Sequence, residues 1–291
     1  MSYETTLGRY ILAVDDAIKK YLSDARIHPP LASAMEYSAM AGGKRLRPCL
    51  LLAANELAGG AIEAALPFAA AIEMIHTYSL IHDDLPAMDD DSLRRGKPTN
   101  HVVYGEGMAV LAGDGLLNYA MQIMLSAALE DESRKALRAA SEIAERAGVW
   151  GMIAGQAEDL LAVNREPNEK ALYYIHTHKT ADMLVAALRA GGIIGGADDA
   201  LLSALTVYGE KLGLAFQIQD DLLDLYGNAA SLGKSTGKDE KENKLTFPAL
   251  FGAERSMTMQ GQYCREAADA LSAYDSQFLA TMAYRLSKRE S

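Results

Sequence analysis

The sequence has few of the residues on which disulfide-rich, zinc-binding and nucleic-acid-binding proteins depend. Only two of its 291 residues are cysteine, Cys49 and Cys264, so neither a disulfide framework nor a zinc-binding spacing is present. Lysine and arginine number 28 against 39 aspartate and glutamate residues, for a net charge of −11. This balance argues against general nucleic-acid binding, which requires a basic surface. Two isolated cysteines are typical of a protein in the reducing cytosol.

The sequence also lacks a long uncharged run. The longest stretch without a charged residue, 115–129, has 15 residues, which is too short to cross a membrane as a helix. The first twenty residues carry early charges and no apolar signal segment, so export is not expected. We therefore expect a cytoplasmic protein without a membrane span.

Prolines number only eight, and alternating strand patterns are nearly absent. The best candidate strand, residues 101–104, is too short to found a sheet. Alanine, leucine, methionine and glutamate, which favour helices, fill the segments between the prolines, and no low-complexity linker separates two halves. The sequence therefore predicts an all-α fold, one domain over residues 1–291. The helices are expected at about 3–24, 31–41, 45–58, 61–85, 102–128, 132–147, 150–163, 168–190, 198–226, 243–254, 258–272 and 276–287.

Two acidic clusters lie at the edges of apolar, helix-patterned segments: residues 83–91 (DDLPAMDDD) and residues 220–224 (DDLLD). Two like charges 4 Å apart repel by roughly 4 kcal/mol at an effective dielectric of 20. A fold that brings several carboxylates together therefore needs a hard divalent cation. Oxygen ligands of this kind suit Mg²⁺ that also binds substrate phosphates.

The second cluster lies on one face of a predicted helix. Residues spaced 0, 3, 4 and 7 share a helix face, and this spacing groups Gln217, Asp220, Asp221 and Asp224. Taken alone, the stripe also fits a solvated helix face. The apolar residues on both sides of it favour a face that lines a cavity.

The first cluster is expected at the end of a helix. Pro86 disfavours helix at the preceding residue, so Asp83 and Asp84 should lie on the last turn and Asp89 on a loop that folds back. Carboxylates at a helix C-terminus are unfavourable with the helix dipole, and a bound cation would relieve that cost. An acidic surface loop is the alternative interpretation of this cluster taken alone.

Basic residues follow or precede these clusters in blocks. The blocks are residues 42–48 (GGKRLRP), 94–97 (RRGK) and the pair Lys179 and Thr180. Lys234, Lys238 and Lys244 lie in or next to the long polar segment 227–243. Arginine suits bidentate phosphate contacts, and lysine acts as a point charge. Together with the aspartates, these residues suggest an apolar cavity whose mouth binds a polyphosphate.

In this order along the chain, the motifs resemble those of the trans-isoprenyl diphosphate synthases, most closely the bacterial farnesyl diphosphate synthases. The resemblance includes His76, the segment from Phe216 to Asp224, and Gly233 with Lys234. It covers residues of about 30 to 250, and the tail beyond about 253 carries no recognisable motif. Each aspartate motif alone is suggestive, whereas the ordered set is specific.

The resemblance implies a helical bundle of the isoprenoid synthase type around a deep central cavity, as a homodimer. It implies Mg²⁺, three ions per active site with substrate bound, on Asp83, Asp84, Asp89, Asp220, Asp221 and Asp224. The allylic diphosphate would be held by Arg94, Lys179, Thr180, Gln217, Lys234 and Lys244. Isopentenyl diphosphate would be held by Lys44, Arg47, His76 and Arg95. Lys179, Thr180 and Gln217 would act next to the reacting carbon. Either Lys238 or Lys244 could bind phosphate beside Lys234. We favour Lys244 because it leads into the next helix, just before residues 245–248 (LTFP).

The depth of the cavity below Asp83 should set product length. Ser79 lies one turn back, about 6 Å along the axis on nearly the same face, and it is small. Tyr78 points about 140° away by wheel geometry, and only the resemblance places it at the cavity floor. That pattern predicts a C15 product, so Tyr78→Ala should lengthen the product and Ser79→Phe should shorten it.

The expected reaction is a head-to-tail condensation of dimethylallyl or geranyl diphosphate with isopentenyl diphosphate to give farnesyl diphosphate. The alternatives are a geranyl or geranylgeranyl diphosphate synthase, a terpene cyclase, and a non-catalytic subunit. A cyclase would lack the second aspartate motif and the block at 44–47, and a non-catalytic subunit is expected to lose one aspartate motif.

Overall fold

The computed structural model describes residues 2–163, 166–226 and 244–287. The expected all-α fold is confirmed: apart from one short hairpin, the regular structure of these residues is helical. The helices are α1 (Tyr3–Leu22), α2 (Pro29–Ala39), α3 (Leu46–Leu57), α4 (Ile62–Asp83), α5 (Asn100–Tyr104), α6 (Glu106–Glu130), α7 (Lys135–Ala147), α8 (Met152–Ala162), α9 (Glu169–Ile175), a π-helical segment (His176–Ala181), α10 (Asp182–Gly195), α11 (Asp199–Tyr226), α12 (Phe247–Phe251), α13 (Ala253–Ala270) and α14 (Gln277–Ser287).

Helix α4 lies at the centre of the protein. Its buried residues run from Ala65 to Ile81 and occupy every side of the helix, as expected for a helix surrounded by others. It ends at Asp83, and Asp84 is its C-cap, in agreement with the stop predicted from Pro86. The sequence therefore places the first acidic cluster at the end of a helix that is buried on every side.

Two glycines with positive φ end helices at positions where the sequence pattern predicted either a continuous helix or a later break. Gly105 (φ 85°) separates α5 from α6, where one helix over 102–128 was predicted. Gly252 (φ 79°) separates α12 from α13, whereas the predicted break lay several residues later. These backbone angles are open to glycine at little cost, so each glycine ends one helix and starts the next.

The only strands among the described residues form a two-stranded antiparallel hairpin that the sequence analysis missed. Strand β1 (Leu93–Arg94) pairs with β2 (Lys97–Pro98) in the register Leu93↔Pro98 and Arg94↔Lys97. Arg95 and Gly96 form the turn and both have positive φ, the combination that two-residue hairpins prefer. Residues 101–104, the best candidate strand in the sequence but too short to found a sheet, are helical and lie in α5.

Two helices, α4 and α6, are long and apolar enough to cross a membrane by length and composition alone. Within the apolar window of α4, 67% of the residues are buried inside the protein, against 39% for α6. A core helix satisfies the same criteria, so these two helices do not establish a membrane span.

Candidate active site

A cavity of about 1000 Å³ lies among α4, α6, α8, the π-helical segment and α11. The loop before α3 and the hairpin contribute its basic rim. The residues predicted for the site that line this cavity are Lys44, Arg47, His76, Tyr78, Ser79, Asp83, Arg94, Arg95, Lys179, Thr180, Gln217, Asp220 and Asp224. The fold thus brings together motifs that are up to 180 positions apart in the chain.

Four predicted site residues lie outside the cavity lining. Asp84, Asp89, Asp221 and Lys244 are described but lie behind or beside the lining. Lys234 and the alternative Lys238 fall outside the described residues.

Asp83 forms the first acidic wall at the end of α4. Its Oδ1 accepts a hydrogen bond from Nε2 of Gln156 on α8 at 2.8 Å. Burial raises the pKa of Asp83 to about 6, although Lys179 opposes the shift. An aspartate whose charged form is penalised by burial is stabilised when a cation approaches, so Asp83 is suited to a metal.

Asp84 is buried, with 3% of its surface exposed, and is paired with Arg94. The Arg94 Nε atom lies 2.7 Å from Oδ1 and 2.9 Å from Oδ2 of Asp84. Burial raises the pKa of Asp84, and the hydrogen bonds from Arg94 oppose the shift. In the protein alone, a predicted metal ligand and a predicted phosphate ligand therefore neutralise each other.

The expected return of the loop at Asp89 is confirmed by its backbone. The Asp89 amide donates to the Asp83 carbonyl oxygen at 2.8 Å. The Asp89 carboxylate lies 3.4 Å from Nζ of Lys244, which follows the long polar segment. This contact joins the first acidic cluster to the favoured loop lysine.

The second acidic wall is the end of α11, and it is not a solvated helix face. Asp221 and Asp224 are 5% and 6% exposed. The Asp221 Oδ2 accepts from the Phe247 backbone amide at 2.9 Å, and its Oδ1 accepts from Nε2 of Gln217 at 3.0 Å. Asp220 and Asp224 face the cavity, whereas Asp221 orients Gln217 and fixes the chain that enters α12.

Thr180 and Lys179 lie on the π-helical segment, where a continuous helix over 168–190 was predicted. The Thr180 hydroxyl donates to Oε1 of Gln217 at 3.0 Å, and Nζ of Lys179 lies 2.6 Å from Oδ2 of Asp159. A π-helical turn changes the direction in which successive side chains point, and such turns are frequent at functional sites. Here it directs both predicted residues into the cavity.

Two glycines fix the position of the π-helical segment between α8 and α11. A Cβ at Gly155 would lie 2.2 Å from the backbone nitrogen of Lys179, and one at Gly213 would lie 2.5 Å from the Cβ of Ala181. With a side chain at position 155 or 213, α8 or α11 could not approach the π-helical segment this closely. The close approach holds Lys179 and Thr180 opposite the acidic walls.

The basic rim combines residues from three elements. Burial lowers the pKa of Arg47 and lowers that of His76 well below its usual value, with Arg47 adding to the effect on His76. The Nε atom of Arg47 is buried without a partner in the protein. A Cβ on Gly43 would meet the Arg95 guanidinium at 2.5 Å. A buried guanidinium with an unsatisfied donor is suited to an anionic ligand.

Lys44 and Arg45 differ in role although they are adjacent. The Nζ of Lys44 lies 5.5 Å from the centre of the Phe216 ring at the cavity. Arg45 is buried and pairs with Glu73 at 2.9 Å and Asp15 at 2.8 Å. Arg45 therefore holds the loop in place while its neighbour reaches the site.

The carboxylates fit Mg²⁺ held jointly with a phosphate ligand better than a metal held by protein alone. Among residues 2–163, 166–226 and 244–287, no group of three or more His, Cys, Asp or Glu side chains is arranged to hold a metal. Mg²⁺ usually takes one or two carboxylates and completes its shell with water and substrate phosphates. Asp83 on one wall and Asp220 with Asp224 on the other provide such partial sets.

Sequence reasoning missed the contribution of α8. Gln156 and Asp159 hydrogen-bond Asp83 and Lys179 from this helix. The two residues are three apart and so share a helix face, which was the available signal. A Gln and an Asp at that spacing are common on solvated faces, and only the contact with α4 and the π-helical segment distinguishes them.

Known proteins resemble this chain in both sequence and structure. Residues 28–282 match the polyprenyl synthetase family. The chain is 48% identical over 254 residues to the farnesyl diphosphate synthase of Geobacillus stearothermophilus, covering 86% of this chain and 85% of the relative. It is 44% identical over 281 residues to the chloroplastic heterodimeric geranylgeranyl pyrophosphate synthase large subunit 1 of Arabidopsis thaliana, covering 94% and 76%.

A solved structure extends the match to nearly the whole fold. The crystal structure of a geranyltransferase from Legionella pneumophila superposes with a TM-score of 0.87 at 31% identity, covering 99% of this chain and 96% of that one. The cavity between two acidic helix ends, the family match and the high identity agree, and this protein therefore belongs to the polyprenyl synthetase family of prenyltransferases.

Proposed function

We propose that this protein is a Mg²⁺-dependent farnesyl diphosphate synthase. It would condense dimethylallyl diphosphate, and then geranyl diphosphate, head to tail with isopentenyl diphosphate, and release diphosphate at each step. The observation that carries the proposal is the apolar cavity with acidic residues on two walls, a basic rim and Tyr78 within it.

The two substrates would bind at opposite parts of the rim. Arg94, Lys179, Gln217 and Lys244 lie near the acidic walls and would hold the allylic diphosphate, with Thr180 beside them and Lys234 as a further candidate. Isopentenyl diphosphate would bind at Lys44, Arg47, His76 and Arg95. The unsatisfied Nε of Arg47 supports an anion there. Because its pKa is lowered, His76 would donate a hydrogen bond as a neutral imidazole.

The residues of the chain then favour ionisation of the allylic carbon–oxygen bond. Bound Mg²⁺ would supply positive charge to the departing diphosphate. Lys179 and Arg94 add fixed cations on the same side. The hydroxyl oxygen of Thr180, oriented by its bond to Gln217, would stabilise the allylic cation. Holding isopentenyl diphosphate alongside makes the attack of its alkene on the allylic cation effectively intramolecular. The cation formed by that attack would then lose a proton to the released diphosphate, which completes the new allylic diphosphate.

The floor of the cavity supports a C15 product. Tyr78 is 7% exposed and lines the cavity, where its ring would limit the length of the growing chain. Ser79 also lines the cavity, and its hydroxyl donates to the His76 carbonyl oxygen at 2.9 Å, which leaves the space below Asp83 open. The geranylgeranyl synthases among the relatives favour a C20 product as the second candidate.

We also propose that the chain acts in the cytoplasm as a homodimer and forms one domain over its length. Exposed leucines on the outer side of α6 support association: Leu111 is 55%, Leu125 53% and Leu129 89% exposed. Analytical ultracentrifugation should give twice the 31.3 kDa mass of the chain.

One assay tests the main proposal. The protein is incubated with Mg²⁺, dimethylallyl diphosphate and isopentenyl diphosphate, and the dephosphorylated products are separated by chromatography. Farnesol is expected. Geranylgeraniol or geraniol as the main product would reject the C15 assignment, a cyclic hydrocarbon would indicate a terpene cyclase, and absence of any product would indicate a non-catalytic subunit.

A further inference from the structure

His82 lies between α4 and α6 at the side of the cavity below Asp83. It precedes the first aspartate motif and was given no role by the sequence. Its ring lines the cavity together with Tyr78, and the two rings pack edge to face with centroids 5.7 Å apart. Since they are four residues apart on α4, they form one continuous wall of the cavity.

The His82 ring is held against α6. Its Nε2 lies 3.1 Å from the Val110 carbonyl oxygen, and because a carbonyl only accepts, Nε2 carries the proton. The Asp114 carboxylate lies farther off, at 3.9 Å. The ring is therefore held at the cavity wall by a bond to the backbone of the neighbouring helix.

Gly113 provides the space that the ring occupies. A Cβ at this position would lie 2.1 Å from Nε2 and 2.5 Å from Cδ2 of His82. Both distances are far shorter than van der Waals contact, so His82 and any residue larger than glycine at 113 cannot both keep these positions. The absence of a side chain at 113 is thus what lets the ring withdraw between the helices.

From this geometry we infer that His82 and Gly113 together form a second determinant of product length, acting where α4 and α6 meet at the cavity. The inference rests on the proposed prenyl transfer. A methyl group at 113 displaces the ring from its bond to Val110. With α6 behind it and the Tyr78 ring beside it, the imidazole moves into the cavity and shortens the space for the growing chain.

The conformational cost of this displacement is small, which makes the effect specific to the cavity. The clashing atoms are the far end of a side chain with two rotatable bonds, not backbone. The ring can therefore turn without separating α4 from α6. Replacing glycine by alanine inside a helix also favours the helical conformation.

The test compares the product lengths of four variants with the unaltered protein: Gly113→Ala, His82→Ala, the double variant, and Gly107→Ala. Gly107 lies on the same helix, and a Cβ there would meet nothing within 4 Å, so it is the matched control. Product ratios are measured with dimethylallyl and isopentenyl diphosphates, and thermal unfolding establishes that each variant is folded.

Gly113→Ala should shift the main product one isoprene unit shorter, with the ratio of shorter to original product rising by about tenfold or more. His82→Ala should shift the products longer, and in the double variant the shortening should disappear. Gly107→Ala should leave the ratio unchanged.

An unchanged ratio in folded Gly113→Ala overturns the inference, as does a double variant that keeps the shorter product. If Gly113→Ala does not fold, an unchanged ratio in His82→Ala overturns it instead. All shifts are measured against the product of the unaltered protein. If the unaltered protein makes a C20 product, the farnesyl assignment is rejected, but the change in product length caused by each variant can still be measured.

Discussion

Replacing Gly155 by alanine should impair catalysis without unfolding the protein. The added Cβ would lie 2.2 Å from the Lys179 backbone nitrogen and 2.8 Å from the His178 carbonyl carbon. Ordinary contact requires at least 3.4 Å, so α8 or the π-helical segment must move by about 1 Å, because backbone atoms cannot turn aside. Lys179 and Thr180 move with that segment.

The expected loss follows from this displacement. A misplacement of about 1 Å in a reacting constellation costs about 100-fold in rate, so kcat should fall by about that factor. Overpacking costs about 1–3 kcal/mol in stability, which corresponds to a few degrees in Tm for a protein of this size. The variant therefore remains folded at 25 °C while its active site is misaligned.

Steady-state kinetics and thermal unfolding of matched variants test this reasoning. Gly213→Ala acts on the same segment from α11, where the Cβ would lie 2.5 Å from that of Ala181, and should cause a similar loss. Gly261→Ala on α13 is the control, because its nearest neighbour would be an arginine atom at 3.6 Å. Wild-type kcat in both Gly155→Ala and Gly213→Ala would refute the argument that the π-helical segment must be fixed between the two helices.

Three further outcomes are expected. Arg45→Met removes the ion-pair partner, at 2.9 Å, of Glu73, which is only 2% exposed. This variant should lower the free energy of unfolding, measured with denaturant, by about 3–5 kcal/mol. Arg9→Met removes a solvent-exposed ion pair and should change the free energy of unfolding by no more than about 1 kcal/mol. The Mg²⁺ concentration for half-maximal activity should rise by about tenfold for each pH unit below about pH 6. The reason is that the raised pKa of Asp83 lets protons compete with the metal for its carboxylate. A half-maximal Mg²⁺ concentration that stays constant from pH 7 to pH 5 would contradict this. Tyr78→Ala should lengthen the product because it removes a ring that lines the cavity, and chromatography showing an unchanged chain length would reject the assigned floor.

The helices of the fold were predictable because their signals are local. Pro86 marks the end of α4, and the stripe at Gln217 and Asp220 marks one face of α11. The sequence analysis missed the breaks between helices where one glycine adopts positive φ. A single glycine such as Gly105 is compatible with a continuous helix, so the sequence gives no sign of the backbone angle of 85° that ends α5 there.

Motif order predicted which segments of the chain meet at the cavity, but not the individual environments of their residues. Asp221 was grouped with the metal ligands because the family resemblance implies it, and the helical spacing places it on one stripe with Asp220. In the fold, however, its carboxylate accepts hydrogen bonds from Gln217 and from the Phe247 amide. The partner at Phe247 is 26 residues away along the chain, so helical spacing contains no information about it. The π-helical turn at Lys179 is likewise set by close packing against Gly155 and Gly213 and not by its own sequence.

The ion pairs of the site have a consequence for the order of ligand binding. Arg94 contacts Asp84, Lys179 contacts Asp159 and Lys244 contacts Asp89. In the proposed reaction, a diphosphate that arrives alone would have to draw these cations away from their carboxylates, and a metal ion that arrives alone would have to draw the carboxylates away from the cations. Each ligand therefore lowers the cost of admitting the other, and by linkage the gain in affinity is equal in both directions. The resting site would then favour simultaneous loading of both ions over capture of either one by itself.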